Sequence, residues 1–203
     1  PSPGSRATRF SRPGANSLLS CVYAGQVAGP AVLAYLAGLK GADLTPSSLL
    51  EAAGKQWHDR FGELAKRDGP ENPYVLADEL GKWMLENVTI VRDNGKLRET
   101  DAKLQELQDR WHKAGVLDHG QWANAPLSFL NQLWNMLHLA RVVTLGALAR
   151  DESRGAHFKP EFDKRDDVNW LKTTVASFTP DGPRFRYDPV DVSLYAPVER
   201  KYD

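Results

Sequence analysis

Near residue 150 the sequence crowds two acids, an arginine and a histidine into seven positions: Asp151-Glu152-Ser153-Arg154-Gly155-Ala156-His157. They follow directly on a long apolar run from Phe129 to Arg150. One interpretation is a helix C-terminus, with Gly155 as the left-handed stop residue and Arg154 and His157 beside the last carbonyls. The other is a charged cluster whose partners lie elsewhere in this chain or on a second one. Acids at that end oppose the helix dipole, so they require partners such as Arg150, Arg154 or a second chain. A second polar group lies inside the apolar run. Asn131, Asn135, His138 and Arg141 step by four, three and three, which lines them along one side of a helix. That stripe is either a solvated or internally hydrogen-bonded face, or a surface made for something outside the chain. Self-contained chemistry is harder to find. There is no GxGxxG and no Walker loop. His112 and His119 are seven apart with a glycine between and no third ligand, so no metal site is expected. Trp57-His58 and Trp111-His112 read as core tryptophans beside surface histidines. The residues alone describe a helical domain, not a self-sufficient enzyme.

The elements that must position these groups follow from periodicity. Pro126 to Arg150 is apolar on nearly every face, which suits a long, central, buried helix. Three amphipathic stretches precede it. Thr45-Pro46 opens the first, with Leu49, Leu50, Ala53, Trp57, Phe61 and Leu64 at helical spacing before Asp68-Gly69-Pro70 stops it. Asn72-Pro73 opens the second, whose stripe is Leu76, Ala77, Leu80, Trp83, Met84, Val88 and Val91. Asp93-Asn94-Gly95 is a turn signal. Leu97, Leu104, Leu107, Trp111 and Ala114 give the third a heptad-like stripe, which Gly115 ends. Such helices closed by a long apolar one predict an antiparallel, spectrin-repeat-like three-helix bundle with a long central helix. After Gly155 the pattern turns irregular. Asn169 to Lys172 predicts a short helical turn. Thr173 to Phe178, then Pro180-Asp181-Gly182-Pro183, then Phe185 and Tyr187, predict a β-hairpin that packs on the bundle.

Leu18 to Leu39 contains no charged residue. By length it matches a bilayer span. Ser20, Gln26, Pro30 and glycines 25, 29 and 38 instead favour a buried helix of a soluble protein, kinked or broken near Pro30, with Asn16 or Ser17 as its cap. The whole chain has 203 residues, 26 basic and 26 acidic, which is enough for one real core but leaves no basic excess for nucleic acid. Its one cysteine, Cys21, excludes an internal disulfide and a multi-cysteine metal site. The first residues, PSPGSRATRFSRPG, lack the apolar core of a secretory signal.

Three stretches resemble one family. LARVVTLGALARDESRGAHFKPEF followed by RDDVNWLKTT is similar to the C-terminal region of the flavoprotein subunit of succinate dehydrogenase and fumarate reductase. GANSLLSCVYAGQVAG at residues 14–29 resembles the family stretch just after its HGANRLG motif, and ENPYVLADELGKWMLENVTIVRDNGKL resembles the helical domain of Bacillus-type succinate dehydrogenases. The resemblance implies FAD in the intact subunit, held by a dinucleotide-binding domain outside this stretch, with no flavin bound and no turnover by this chain alone. It implies an iron–sulfur subunit and a membrane anchor as partners, on the cytoplasmic face of the membrane. It divides the chain into a foreign or disordered segment 1–13, the last helix of the FAD-binding domain at 14–40, a helical bundle at 41–155 and a small C-terminal subdomain at 156–203. Arg12 falls at the family arginine that binds the substrate carboxylate, although Pro13 replaces the family leucine and the residues before it do not match. Asn16, Ser17 and Leu18 fall where the family touches the flavin. Glu152, Ser153, Arg154 and His157 take a structural or interface role. Fumarate reductase or aspartate oxidase within the same superfamily, and a free-standing helical interaction module, are the alternatives. A chain of this kind, taken alone, is expected to be soluble and to self-associate through the apolar helix 17–39.

Overall fold

The computed structural model describes residues 17–39, 46–120 and 122–198. The expectations for residues 1–13, for Asn16 and for Thr45 lie outside them. The chain divides into two compact units that part between Glu63 and Leu64.

The first unit carries α1 (Ser17–Gly38) and most of α2 (Ser47–Leu64). α1 continues as one helix through Pro30, so of the kink or break expected there the break does not occur. Proline removes one N–H, and the other turns keep the helix going. Nor is α1 buried: every described side chain on it is exposed, including Leu33 at 68% and Tyr35 at 63%. A helix that is apolar all round needs cover on every side, and this unit supplies none. Cys21–Gly38 has the length and composition of a membrane span. α2 was expected in the bundle core, yet Leu49, Leu50 and Trp57 are exposed and only Leu64 at its end is buried.

The second unit is a three-helix bundle of α3 (Pro73–Asn87), α4 (Asn94–Trp111) and α5 (Ala125–Ala149). Each helix has a side-chain cap. Asn72 accepts the Tyr74 N–H at 2.9 Å, Asp93 the Lys96 N–H at 2.9 Å, and Asn124 the Leu127 N–H at 2.8 Å. Asp93-Asn94-Gly95 is therefore the start of α4 as well as a turn. Contacts at both ends show that the helices run antiparallel. Asn87 at the end of α3 bonds Thr100 near the start of α4, at 3.1 Å. Arg110 at the end of α4 forks onto Glu71 and Glu79 near the start of α3, at 2.8 to 3.0 Å. Trp111 Nε1 donates to the Leu130 carbonyl near the start of α5 at 2.8 Å, and Arg141 farther along α5 reaches back to Asp101. The core is Leu76 and Leu80 of α3, Leu104, Leu107 and Trp111 of α4, and Leu130, Leu133, Leu137 and Ala140 of α5. Each of the large side chains contributes about 1.5–3 kcal/mol by leaving water.

Two glycines permit a close crossing below the bundle. A Cβ on Gly69 would stand 2.0 Å from the Lys113 carbonyl oxygen, and one on Gly115 would stand 2.6 Å from the Gly69 nitrogen. The crossing is tied by Glu71 N–H to Lys113 O at 3.3 Å, Gly115 N–H to Glu71 O at 3.1 Å and Val116 N–H to Arg67 O at 3.1 Å.

Beyond α5 come a four-residue helix, α6 (Asp167–Trp170), and an antiparallel hairpin of β1 (Lys172–Ser177) and β2 (Arg184–Pro189). Thr173 pairs with Asp188, and Ser177 with Arg184. The hairpin lies on α5, where the Phe185 ring would stand 3.5 Å from a Cβ on Gly146. A second tie joins the start of this subdomain to the α3–α4 connection: Arg92 N–H bonds Phe158 O at 2.8 Å, and Phe158 N–H bonds Ile90 O at 3.1 Å.

Candidate functional site

The cluster at the end of α5 closes into a buried polar knot. α5 stops at Ala149 because Arg150 turns to an extended conformation, and the chain doubles back over the helix end. Gly155 does not cap the helix. Its φ of +61° serves instead the tight turn from Arg154 to His157, whose backbones bond reciprocally at 2.7 and 3.1 Å. The acids find their partners within the chain. Glu152 is fully buried. It accepts from Arg150, from Arg154 at 2.9 and 3.0 Å, and from the Asp166 N–H at 2.9 Å. Arg154 also holds Asp167 at 2.6 Å. Burial works against its charge, but the hydrogen bonds to Glu152 and Asp167 outweigh that and raise its pKa. Arg150 extends the knot to the hairpin, donating to the carbonyls of Trp170 at 2.9 Å and Lys172 at 2.6 Å. Ser153 ties the loop to itself: its Oγ lies 2.7 Å from Phe162 O and accepts the Lys159 N–H at 3.0 Å.

His157 sits between two basic residues. Its Nδ1 is 2.6 Å from the Arg92 guanidinium and its Nε2 is 2.9 Å from the Arg150 carbonyl. A guanidinium only donates and a carbonyl only accepts. The ring is therefore neutral, with its proton on Nε2. Burial, followed by the nearby charges of Arg92, Lys159 and Arg150, lowers its pKa to about 4 against the pull of the Arg150 carbonyl. A histidine so held has no lone pair free for a substrate and is no general base near neutrality. Lys159, fully buried, reaches Leu148 O at 3.1 Å and Asp151 at 2.9 Å. Burial pushes the Asp151 carboxyl up, but the hydrogen bonds from Lys159 and Asn94 hold it below its ordinary value.

The polar stripe of α5 is mostly turned inward. Asn131 is buried, His138 packs edge-on against Trp134 and Phe178 and meets Gln108 at 3.3 Å, and Arg141 holds Asp101 at 2.8 Å. Asn135 alone of the four is exposed. His112 and His119 do not come together: His112 packs edge-on against Trp111 and Trp134, while His119 contacts the Ala65 carbonyl at 2.7 Å. Among the described residues no group of three or more His, Cys, Asp or Glu is placed to hold a metal. Of the residues aligned with flavin or substrate contacts, Arg12 and Asn16 lie outside the described residues. Ser17 begins α1, with its side chain outside them as well, and Leu18 is 81% exposed. Leu18 alone forms no cradle for a flavin.

The knot contains four residues that sequence reasoning did not assign to it: Arg92, Lys159, Asp166 and Asp167. Each lies in a stretch without periodicity, and only the surplus of acids beside Arg154 hinted that more cations must converge there.

The family model described as the fumarate reductase flavoprotein C-terminus matches residues 77–202. The succinate dehydrogenase flavoprotein subunit of Bacillus subtilis is 49% identical over 194 residues, which are 94% of this chain and 33% of that protein. The fumarate reductase flavoprotein subunit of Haemophilus influenzae is 32% identical over 192 residues, 94% of this chain and 32% of that protein. Among solved structures, Escherichia coli quinol fumarate reductase superposes with a TM-score of 0.73 at 33% identity, covering 78% of this chain and 28% of that one. The chain thus spans about a third of the length of the curated relatives it matches. With its antiparallel bundle, its hairpin and its knot of Glu152 and two arginines, this chain belongs to the succinate dehydrogenase and fumarate reductase flavoprotein family and corresponds to its C-terminal region.

Proposed function

We propose that the chain serves as the C-terminal part of a flavoprotein subunit that oxidises succinate to fumarate. The observation that carries this is the 49% identity to a succinate dehydrogenase subunit along 94% of the chain, against 30–34% for fumarate reductase subunits. Fumarate reduction by the same subunit is the second reading, favoured by the number of fumarate reductases at that lower identity. In the intact subunit FAD supplies hydride acceptance. Electrons then pass to an iron–sulfur subunit and through a membrane anchor to quinone, with the flavoprotein peripheral on the cytoplasmic face.

No chemical step belongs to the described residues of this chain. Their part is architectural. Glu152, Ser153, Arg154 and His157 lock the C-terminal subdomain, residues 156–203, to the bundle. Arg12 with Asn16, Ser17 and Leu18 contributes to the substrate and flavin sites once the FAD-binding domain is present. α1, apolar and uncovered, is the last helix of that domain, and its exposed leucines and valines are the surface that the domain covers. Without it, the chain self-associates through α1.

The test is the visible absorption spectrum of the purified chain before and after adding FAD, with succinate-dependent dye reduction on the same sample. No flavin band and no turnover are expected from the chain, and both from the full-length subunit. Flavin bound at one per chain would overturn the division of labour. Fumarate reduction far outpacing succinate oxidation in the full-length subunit would overturn the direction.

A further inference from the structure

We propose that His157 is a proton-operated latch: neutral, it clasps the C-terminal subdomain to the end of the bundle, and protonated, it lets that subdomain open. The geometry joins three pieces of chain at one ring. Arg92, from the α3–α4 connection, donates to Nδ1 at 2.6 Å. Arg150, the residue that ends α5, accepts from Nε2 at 2.9 Å. The ring itself stands in the Arg154–His157 turn, one residue before Phe158, which pairs with Ile90 and Arg92. Arg150 passes the clasp on to the hairpin through the Trp170 and Lys172 carbonyls.

A proton on Nδ1 abolishes the only acceptor that Arg92 has on the ring and sets two donors face to face. The Arg150 carbonyl and Asp151 favour the new charge, but they are outweighed. Arg92, Arg150 and Lys159 all oppose it, and burial of the ring opposes it most. The carboxylates of the surrounding chain already have partners. Asp151 holds Lys159 and Asn94. Glu152 holds Arg150 and Arg154, Asp93 caps α4, and Glu161 accepts the Asn94 N–H. The charge is accommodated only when the ring swings into water.

The sign follows. The folded ring titrates near 4 and a free histidine at 6.5. The clasp is complete above the ordinary value and weakens as pH falls towards the folded one. If opening restores the ordinary pKa, the open population rises about 20-fold between about pH 7 and about pH 5.

Amide hydrogen exchange followed by NMR, corrected for intrinsic rates, tests this on the chain as it stands. The amides of Arg92, His157, Phe158 and the hairpin are expected to lose protection about 20-fold over that range, while those of Leu104 and Leu107 in the bundle core keep theirs. His157→Gln supplies a neutral side chain that both donates and accepts, so its protection should be independent of pH. Direct titration of the His157 ring in the unaltered chain gives a second readout needing no variant. A folded pKa at or above the ordinary value, protection that does not change with pH, equal loss throughout the bundle, or the same acid loss in His157→Gln would each overturn the latch.

Discussion

Removing the Glu152 carboxylate should destabilise the second unit by about 4 kcal/mol. The magnitude comes from what is left behind. Glu152 is fully buried and neutralises two arginines, whose side chains are 15% and 28% exposed. Breaking a buried pair by deleting one partner typically costs about 3–5 kcal/mol, because a charge is stranded out of water. Here the lower end applies, since neither cation is wholly abandoned. Arg154 keeps Asp167 at 2.6 Å and Arg150 keeps two backbone carbonyls. The Asp166 N–H also loses its acceptor, which adds about 1 kcal/mol or more for an unpaired buried donor. Urea denaturation followed by far-ultraviolet circular dichroism gives the number directly for Glu152→Ala, provided the slope with urea stays that of the parent. A second variant separates charge from shape. Glu152→Leu with Arg154→Met removes both ends of the principal pair and should lose less than the sum of the single changes. A loss below about 1 kcal/mol for Glu152→Ala would place the pair among surface ion pairs and refute the claim that this knot locks the subdomain.

Other perturbations follow from the same structure. Leu133→Ala, at a fully buried position of α5, should cost about 2–5 kcal/mol by the urea midpoint, with the slope unchanged. Gly69→Ala should cost about 1–3 kcal/mol, because its Cβ meets the Lys113 carbonyl at 2.0 Å and the backbone crossing must shift; Gly62→Ala, exposed in α2 with open space around it, should not destabilise. The Arg110 fork lowers the pKa of Glu71 and of Glu79, in both chiefly through the hydrogen bonds that the arginine donates. That stabilisation is complete above the ordinary glutamate value of 4.5 and is lost as pH falls through the lower folded values, so an acid titration of Arg110→Met should be shallower below about pH 4.5 than that of the parent.

How legible each element was depends on whether its partners lie within the chain. α4 was readable almost residue by residue: Leu97, Leu104, Leu107, Trp111 and Ala114 were picked by spacing, and all are buried. A charged helix with one apolar stripe has only one face to bury, and the neighbouring helices bury it. α3 was readable for the same reason as far as Val88, aided by Asn72-Pro73, whereas Val91 lies past the helix end and is exposed; the hairpin was placed by the turn at Pro180 to Pro183, and none of its strand residues is buried. α1 and α2 failed differently. Their sequences state correctly that they are apolar or amphipathic, and a burial follows from that only if a complementary surface is present. Leu49, Leu50 and Trp57 are a sound stripe on a helix that its own unit leaves exposed. Periodicity measures the demand for burial and says nothing about the supply.

The knot at the end of α5 was half legible, and the dividing line is physical. Two acids at a helix C-terminus are an electrostatic misfit, so cations had to converge on them, and Arg150 and Arg154 do so on Glu152. Proximity in sequence was enough to find those two. Arg92 lies 65 residues from His157, and Lys159 passes for an ordinary surface lysine until its fully buried side chain is seen beside Asp151. Gly155 was read as a helix stop because left-handed glycines most often follow a helix, whereas here an extended Arg150 ends α5 and the glycine makes a separate turn five residues on. That displacement decides the chemistry. A Gly155 cap would have left His157 beside solvent as an ordinary titrating histidine. The later turn carries the ring back over the helix end, between a guanidinium and a carbonyl, where it can be held only as the neutral form.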